Sequence, residues 1–475
     1  MEILADLHIG GTWVPGETGE RFPVIDPSDS SVIAEFAVAS RADALRAVDV
    51  AAAAFPAWRD TSPRDRAEVL RAAFELLREE REWMAELIIR ENGKAYADAI
   101  GEADYAIEFF RWFSEEASRV GGDFRLAPRG DKRIVVSHEP IGVSLLVTPW
   151  NYPAAMATRK LAPALAAGCT TVLKPAMETP LTAAYVVDAL QRAGVPDGVV
   201  NLVTPVETGP VVDAMLHHPA VRKLSFTGST EVGRILLREA ADQVISTSME
   251  LGGNAPFLVL PGADVDAAVE GAMVAKMRNG GSACTAANRF YVHSSLHEEF
   301  AAKLSEAMAA VSVGSGLDRS HGLGALVSLA ERDKVASLVS TAVEEGATTR
   351  TGGKGSDMGA FYDPTVLVGV EHGSTITRHE IFGPVAALIS YDDVDTAVEW
   401  ANATEFGLIA YVYGEQSLAL RVARRLESGM VGINRALLSD PAAPFGGVKQ
   451  SGLGREGSSE GIHEFLETKY LGLDV

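Results

Sequence analysis

Two residues in the 475-residue chain have the type and the setting for covalent chemistry. Cys284 lies in NGGSACTAANR, a glycine-rich loop whose small neighbours leave the sulfur approachable, and a thiolate there would be a strong nucleophile. The other cysteine, Cys169, is flanked by ALAAG and TTVL and reads as an inert small hydrophobe of the core. Glu250, in SMELGGNAP, ends a strand-like run beside a glycine pair. In such an apolar setting a carboxylate acquires a raised pKa and can serve as a general base, the plainer alternative being a structural, hydrogen-bonded glutamate. Asn151, in TPWNYP, could donate its amide to a developing oxyanion, although capping a helix or turn is the commoner use of such an asparagine.

These residues need elements to hold them, and the pattern supplies them. Residues 40 to 120 carry long helical periodicity, as in RDRAEVLRAAFELLREEREWMAELIIRENG, with Asn92-Gly93 as a stop. From 141 onward, short apolar runs (IGVSLLVTPW, TVLKPA, GVVNLVT, KLSFTGS) alternate with amphipathic helices. Four strand–helix repeats of this kind make a parallel, doubly wound sheet. A second α/β stretch runs from about 255 to 435. Two strand-like segments, 133–140 and 465–475, fit neither sheet; they are either ordinary edge strands or strands that pair across a subunit interface.

Phosphate-binding candidates follow from this layout. GLGREG at 452–457 is a literal G-x-G-x-x-G, but too little chain follows it to build a strand–helix–strand unit, so it is rejected. FTGSTEVG at 226–233 is better placed: a strand ends at Phe226, Gly228 permits the turn, and a helix opens at Ser229 with free N–H groups facing a pyrophosphate. Lys174, in KPAMETP, sits at another strand end within reach of ribose or phosphate oxygens.

Composition closes several alternatives. A net charge of −22 argues against nucleic acid or an anionic membrane as partner. Two cysteines cannot make a disulfide framework or a cysteine zinc site and point to a reducing compartment. The N-terminus carries Glu2 and Asp6 where a secretory signal would be basic, and no apolar run reaches membrane-spanning length, so a cytoplasmic protein is expected. No metal is expected, since His293 and His297 are spaced i, i+4 but straddle a strand-to-helix junction without a third ligand.

Taken together, TPWNYP, KPA, FTGSTEVG, MELGGN, the Cys284 loop with Arg289, EIFGP at 380–384 and PFGGVKQSGLGREG at 444–457 resemble, in order and separation, the motifs of the aldehyde dehydrogenase superfamily. The resemblance spans nearly the whole chain. It implies a fold with a Rossmann-type parallel-sheet cofactor domain (1–121 and 141–252), a second α/β catalytic domain (253–440) and a small β oligomerisation arm (122–140 and 460–475). It further implies that Cys284 forms a thiohemiacetal whose oxyanion is held by the Asn151 amide and the Cys284 N–H. A hydride then leaves for nicotinamide, and Glu250 activates the water that hydrolyses the thioester. Cofactor contacts implied by the match are Thr148, Pro149, Trp150, Lys174, Ala176, Met177, Phe226, Gly228, Ser229, Val232, Leu251, Glu380 and Phe382, with Glu380 on the nicotinamide ribose.

The sequence departs from the family at two places. NAD-preferring members often read K-P-x-E; here the fourth residue is Met177, which removes a repulsion against a 2′-phosphate, so either NAD or NADP is expected to serve. Ser282 stands where a glutamine is usual. Arg159, Arg278 and Ser439 coincide with positions that look like the carboxylate-binding residues of succinate-semialdehyde dehydrogenases. Oxidation of succinate semialdehyde by a homodimer or homotetramer is therefore the expectation. The alternatives are a dehydrogenase for another short anionic or broad-range aliphatic aldehyde, and a non-redox thiol esterase, against which the cofactor motifs argue.

Overall fold

The computed structural model describes residues 3–475. Its first sheet has eight strands in the order Thr12–Val14, Leu7–Ile9, Val200–Leu202, Thr170–Lys174, Val143–Val147, Val221–Thr227, Ser246–Glu250 and Gly452–Leu453. The five strands from the 143–250 stretch are parallel and alternate with helices Pro153–Ala167, Pro180–Arg192, Thr208–Leu216 and Thr230–Ala241, as the repeats predict. Strand order reverses at Val143–Val147, which makes a crevice beyond the carboxyl ends of the strands. Register fixes what meets there: Val147 stands opposite both Lys174 and Phe226, and Thr227 opposite Glu250. The rejected G-x-G-x-x-G segment is an edge strand, with Gly452 paired to Glu250.

A second sheet of seven strands, Thr348–Thr351, Thr365–Val368, Val385–Tyr391, Ala287–His293, Ala255–Val259, Ile409–Tyr413 and Met430–Ile433, is parallel except at its first strand. Its central strands are buried on both faces, which is why they read as continuous apolar runs. The two left-over segments pair with each other: Leu466–Asp474 runs antiparallel to Lys132–Pro140 with Asp123–Leu126 beyond it, forming a separate three-stranded sheet.

The helical opening is four helices, Arg41–Asp60, Pro63–Glu79, Arg81–Asn92 and Tyr96–Glu116. The long periodic stretch is cut at Glu80 (φ −99°, ψ 10°), and the third helix stops on left-handed Gly93. Tyr96–Glu116 packs across Pro153–Ala167, the first helix of the crevice. That contact contains a buried ion pair, Lys94 Nζ to Glu102 Oε2 at 2.5 Å, whose second carboxylate oxygen accepts the N–H groups of Ala154 and Ala155. Losing one partner of such a buried pair costs about 3–5 kcal/mol, so this junction is rigid. Among the described residues no helix is long and apolar enough to cross a membrane.

Candidate active site

The helix Val265–Met277 gives way to a turn in which Asn279 (φ 55°), Gly280 (φ 57°) and Gly281 (φ 75°) are successively left-handed. This reversal brings Cys284 back over the crevice. At Gly281 a Cβ would lie 2.1 Å from the Gly383 carbonyl oxygen, so only glycine lets the loop dock against the 380–384 segment. Ser282, the unusual residue, donates its hydroxyl to the Phe382 carbonyl at 3.3 Å and ties the same two loops. The Cys284 sulfur is partly exposed to the crevice, while its protein surroundings push the thiol up to about 12; Arg159 and Arg278 pull the other way.

Asn151 faces the same space from the strand-to-helix turn. Its side-chain amide donates to Ser282 O at 3.2 Å, which leaves a second N–H on a residue that lines the same cavity as Cys284. The turn is clamped from three sides: Lys94 Nζ and Asn279 Nδ2 donate to Asn151 O at 2.9 and 2.8 Å, and Asn92 Nδ2 donates to Trp150 O at 2.9 Å.

Glu250 is buried, and one of its carboxylate oxygens has no hydrogen-bond partner among the described residues. Burial first, and then the neighbouring Glu456, hold its pKa well above the usual carboxylate range. Burial would raise Glu456 too, but ion pairs with Arg159 and with Lys160 (2.5 Å) hold it below. Two cations thus commit to Glu456, and Glu250 is left the more basic carboxylate of the two, with an oxygen that no described residue engages.

The cofactor-side space comprises two cavities that share Pro149, Thr227, Gly228 and Ser229. The larger, about 800 Å³, is lined by Thr148, Lys174, Ala176, Phe226, Val232 and the helix Thr208–Leu216. Val232 and Ile235 expose apolar side chains into it, the flat apolar surface an adenine would cover. Ser229 caps the helix Thr230–Ala241, its hydroxyl accepting from Val232 N, and the helix starts at the neck that the two cavities share. Lys174 has a pKa lowered to about 8 by burial, opposed only by Glu178, as for a cation awaiting an anion. These residues fit a dinucleotide. Met177 is not on the cavity wall; its side chain packs against the hydrophobic core.

The smaller cavity, about 210 Å³, holds Trp150, Asn151, Leu251, Cys284, Glu380 and Phe382. Phe382 takes a left-handed backbone (φ 56°), strained for a bulky residue, and meets Trp150 edge-on at 5.3 Å. Burial raises Glu380 to about 7, against the Gly253 N–H that donates to it at 3.4 Å.

A third cavity, about 260 Å³, opens on the other side of the Asn151–Tyr152 turn and is lined by Asp98, Tyr105, Tyr152, Arg278 and Ser439. Arg278 and Ser439 therefore lie together, as expected. Arg159 does not join them: buried behind, it is ion-paired with Glu456 and stacked over Phe445 at 4.2 Å. The expected pair of arginines facing each other across the pocket is thus replaced by one, because a carboxylate more than 290 residues away claims the other.

The residues 13–471 match the family model described as Aldehyde dehydrogenase family. The chain belongs to the aldehyde dehydrogenase family. Among relatives of this aldehyde dehydrogenase, a succinate-semialdehyde dehydrogenase of Paenarthrobacter nicotinovorans is 50% identical over 93% of this chain and 99% of its own. A glutarate-semialdehyde dehydrogenase of Pseudomonas putida is 45% identical over 98% and 97%. A crystal structure of an E. coli NADP-dependent enzyme superimposes with a TM-score of 0.98 at 44% identity, covering 100% of this chain and 98% of the other.

In this aldehyde dehydrogenase several site residues escape sequence reasoning: Lys94, Asp98, Glu102, Tyr105, Tyr152, Lys160 and Glu456. Asp98, Gly101, Glu102 and Tyr105 fall at i, i+3, i+4, i+7 on one helix face, and a glycine inside that polar stripe was the available signal for a cavity wall. His293 ends a strand and caps the next helix, with Ser295 N donating to its ring at 3.3 Å. Asp213, His217 and Glu239 cluster at the rim of the larger cavity, where Asp213 and His217 are already ion-paired.

Proposed function

We propose that the protein oxidises succinate semialdehyde, or a short aldehyde with a carboxylate at its far end, to the diacid through a thioester on Cys284. The carrying observation is the third cavity, where Arg278 lies with Ser439 across the Asn151–Tyr152 turn from the cavity that holds Cys284. Arg278 makes no hydrogen bond through its terminal nitrogens among the described residues, which leaves them for a carboxylate. The names of both relatives support the class. The name of the Pseudomonas putida relative makes glutarate semialdehyde the second reading.

The chemistry divides among the chain's own residues. Cys284 attacks the aldehyde carbon, and the oxyanion is held by the free N–H of Asn151 and the backbone N–H of Cys284. When bound, NAD(P)⁺ supplies the acceptor for the hydride that leaves the thiohemiacetal. The residues that would hold it are Lys174, the helix start at Ser229, Trp150, Glu380 and Phe382. Glu250 then takes a proton from water, which attacks the thioester and frees the acid.

Changing Arg278 to alanine is expected to lower kcat/KM for succinate semialdehyde about 10²–10³-fold while butanal, which lacks the carboxylate, stays within a few fold. Equal losses on both aldehydes in steady-state kinetics would overturn the anchor. NADP is accepted in this reading because Lys174, on the wall of the larger cavity, is a cation that can meet a 2′-phosphate. A wild-type enzyme that strongly prefers NAD would sink the idea. Assembly as a homodimer or homotetramer through the three-stranded sheet belongs to the same proposal, supported by exposed Phe124, Leu126, Tyr470 and Leu473 on it and testable by light scattering.

A further inference from the structure

The carboxylate anchor has its own support. Arg278 donates its Nε to the Tyr152 hydroxyl oxygen at 3.2 Å, and its guanidinium carbon lies 5.6 Å from the centre of the Tyr152 ring. The same ring receives Lys94 Nζ at 4.4 Å, and Lys94 is pinned by Glu102 and by Asn151 O. Tyr152 itself is buried and lies on the cavity wall with Arg278.

A guanidinium has three edges. With Nε occupied by the phenol, the two terminal nitrogens form the edge left for a bidentate partner. Arginine loses several rotatable bonds of freedom when it is ordered, so an enzyme that must present this edge gains by fixing it before substrate arrives. Asp98 lines the same cavity and interacts electrostatically with Arg278. Without a fixed Nε the guanidinium is free to swing to that carboxylate, and the substrate's carboxylate then has to displace it. Tyr152 also connects the anchor to the chemistry, because its chain neighbour is Asn151 and both hang from Lys94.

We infer that Tyr152 is a positioning residue for substrate selectivity, holding Arg278 Nε so that the terminal nitrogens of the guanidinium meet the far carboxylate of the aldehyde. The inference rests on the proposed substrate class. Tyr152→Phe keeps the ring and both cation–ring contacts and removes only the oxygen.

The test is a double-mutant cycle of Tyr152→Phe and Arg278→Gln, read with succinate semialdehyde and with butanal. Tyr152→Phe alone is expected to raise KM for succinate semialdehyde about 10-fold and to change kcat and the butanal parameters by much less. In the Arg278→Gln background the same change is expected to have no effect, since the residue acts through that arginine. Competitive inhibition by succinate reads the same contact without turnover and weakens by the same factor. A Tyr152→Phe effect that persists in the Arg278→Gln background, or that falls equally on butanal, overturns the positioning role in favour of a structural one. So does an unchanged KM for succinate semialdehyde. A wild-type enzyme that handles butanal as well as succinate semialdehyde overturns the substrate reading and this inference together; a wild-type preference untouched by Tyr152→Phe overturns this inference alone.

Discussion

Glutamine in place of Glu250 is expected to leave an enzyme that releases about one equivalent of reduced cofactor per site and then nearly stops, with steady-state kcat down roughly 10³-fold. The reason lies in the division of charge around it. Arg159 and Lys160 are committed to Glu456, so Glu250, buried at its strand end next to crevice-lining Leu251, keeps a raised pKa and a carboxylate oxygen without a hydrogen-bond partner among the described residues. Such a group is suited to take a proton from water, and the proposed role puts its largest effect on the hydrolytic step. Glutamine preserves the shape and removes the base, so acylation survives and hydrolysis does not. The sign of the pH dependence follows: because the folded-state pKa is raised, the basic form grows as pH rises, and wild-type turnover limited by hydrolysis should climb with pH. Glutamine should flatten that climb. Stopped-flow absorbance at 340 nm measures both, and a missing burst, or a pH slope unchanged by the substitution, would remove Glu250 from the water-activating step.

What the sequence could reveal divides along physical lines. Cys284, Asn151, Lys174, Ser229 and Glu250 stand at strand ends or in glycine-rich turns, where local pattern alone places a side chain at the edge of a doubly wound sheet. Their positions in the fold agree with that placement. Arg159 shows the opposite case. Its helix was legible, but its partner Glu456 lies in a segment rejected as a phosphate motif, and nothing local announces that this segment folds back as an edge strand beside Glu250. Lys94 and Glu102 look like the charged decoration of a solvated helix; only the packing of Tyr96–Glu116 on Pro153–Ala167 makes them a buried pair. The segments at 133–140 and 465–475 read as unpartnered strands because their pairing spans most of the chain.

Alanine at Cys284 is expected to abolish aldehyde oxidation, lowering kcat/KM by at least about 10⁴-fold, the scale on which removing a covalent nucleophile acts. No neighbour can substitute: Ser282 spends its hydroxyl on the Phe382 carbonyl, and Cys169 is buried in the core of the first sheet, donating to Phe465 O at 3.3 Å. Dinucleotide binding should survive, because the larger cavity and the helix start at Ser229 do not include Cys284. A fluorescence titration with reduced cofactor separates a lost nucleophile from a lost fold. The thiol's own state gives an independent reading. The surrounding protein pushes its pKa up to about 12, against the pull of Arg159 and Arg278. Alkylation by iodoacetamide should therefore accelerate with pH, roughly tenfold per unit well below that pKa, since the thiolate fraction rises in that proportion. Arg159 and Arg278 are the cations that favour the thiolate, and the attacking form must be generated within their field. Residual oxidation in Cys284→Ala within about 100-fold of wild type would mean that aldehyde is attacked by something other than this thiol, and the thioester route would fall with it.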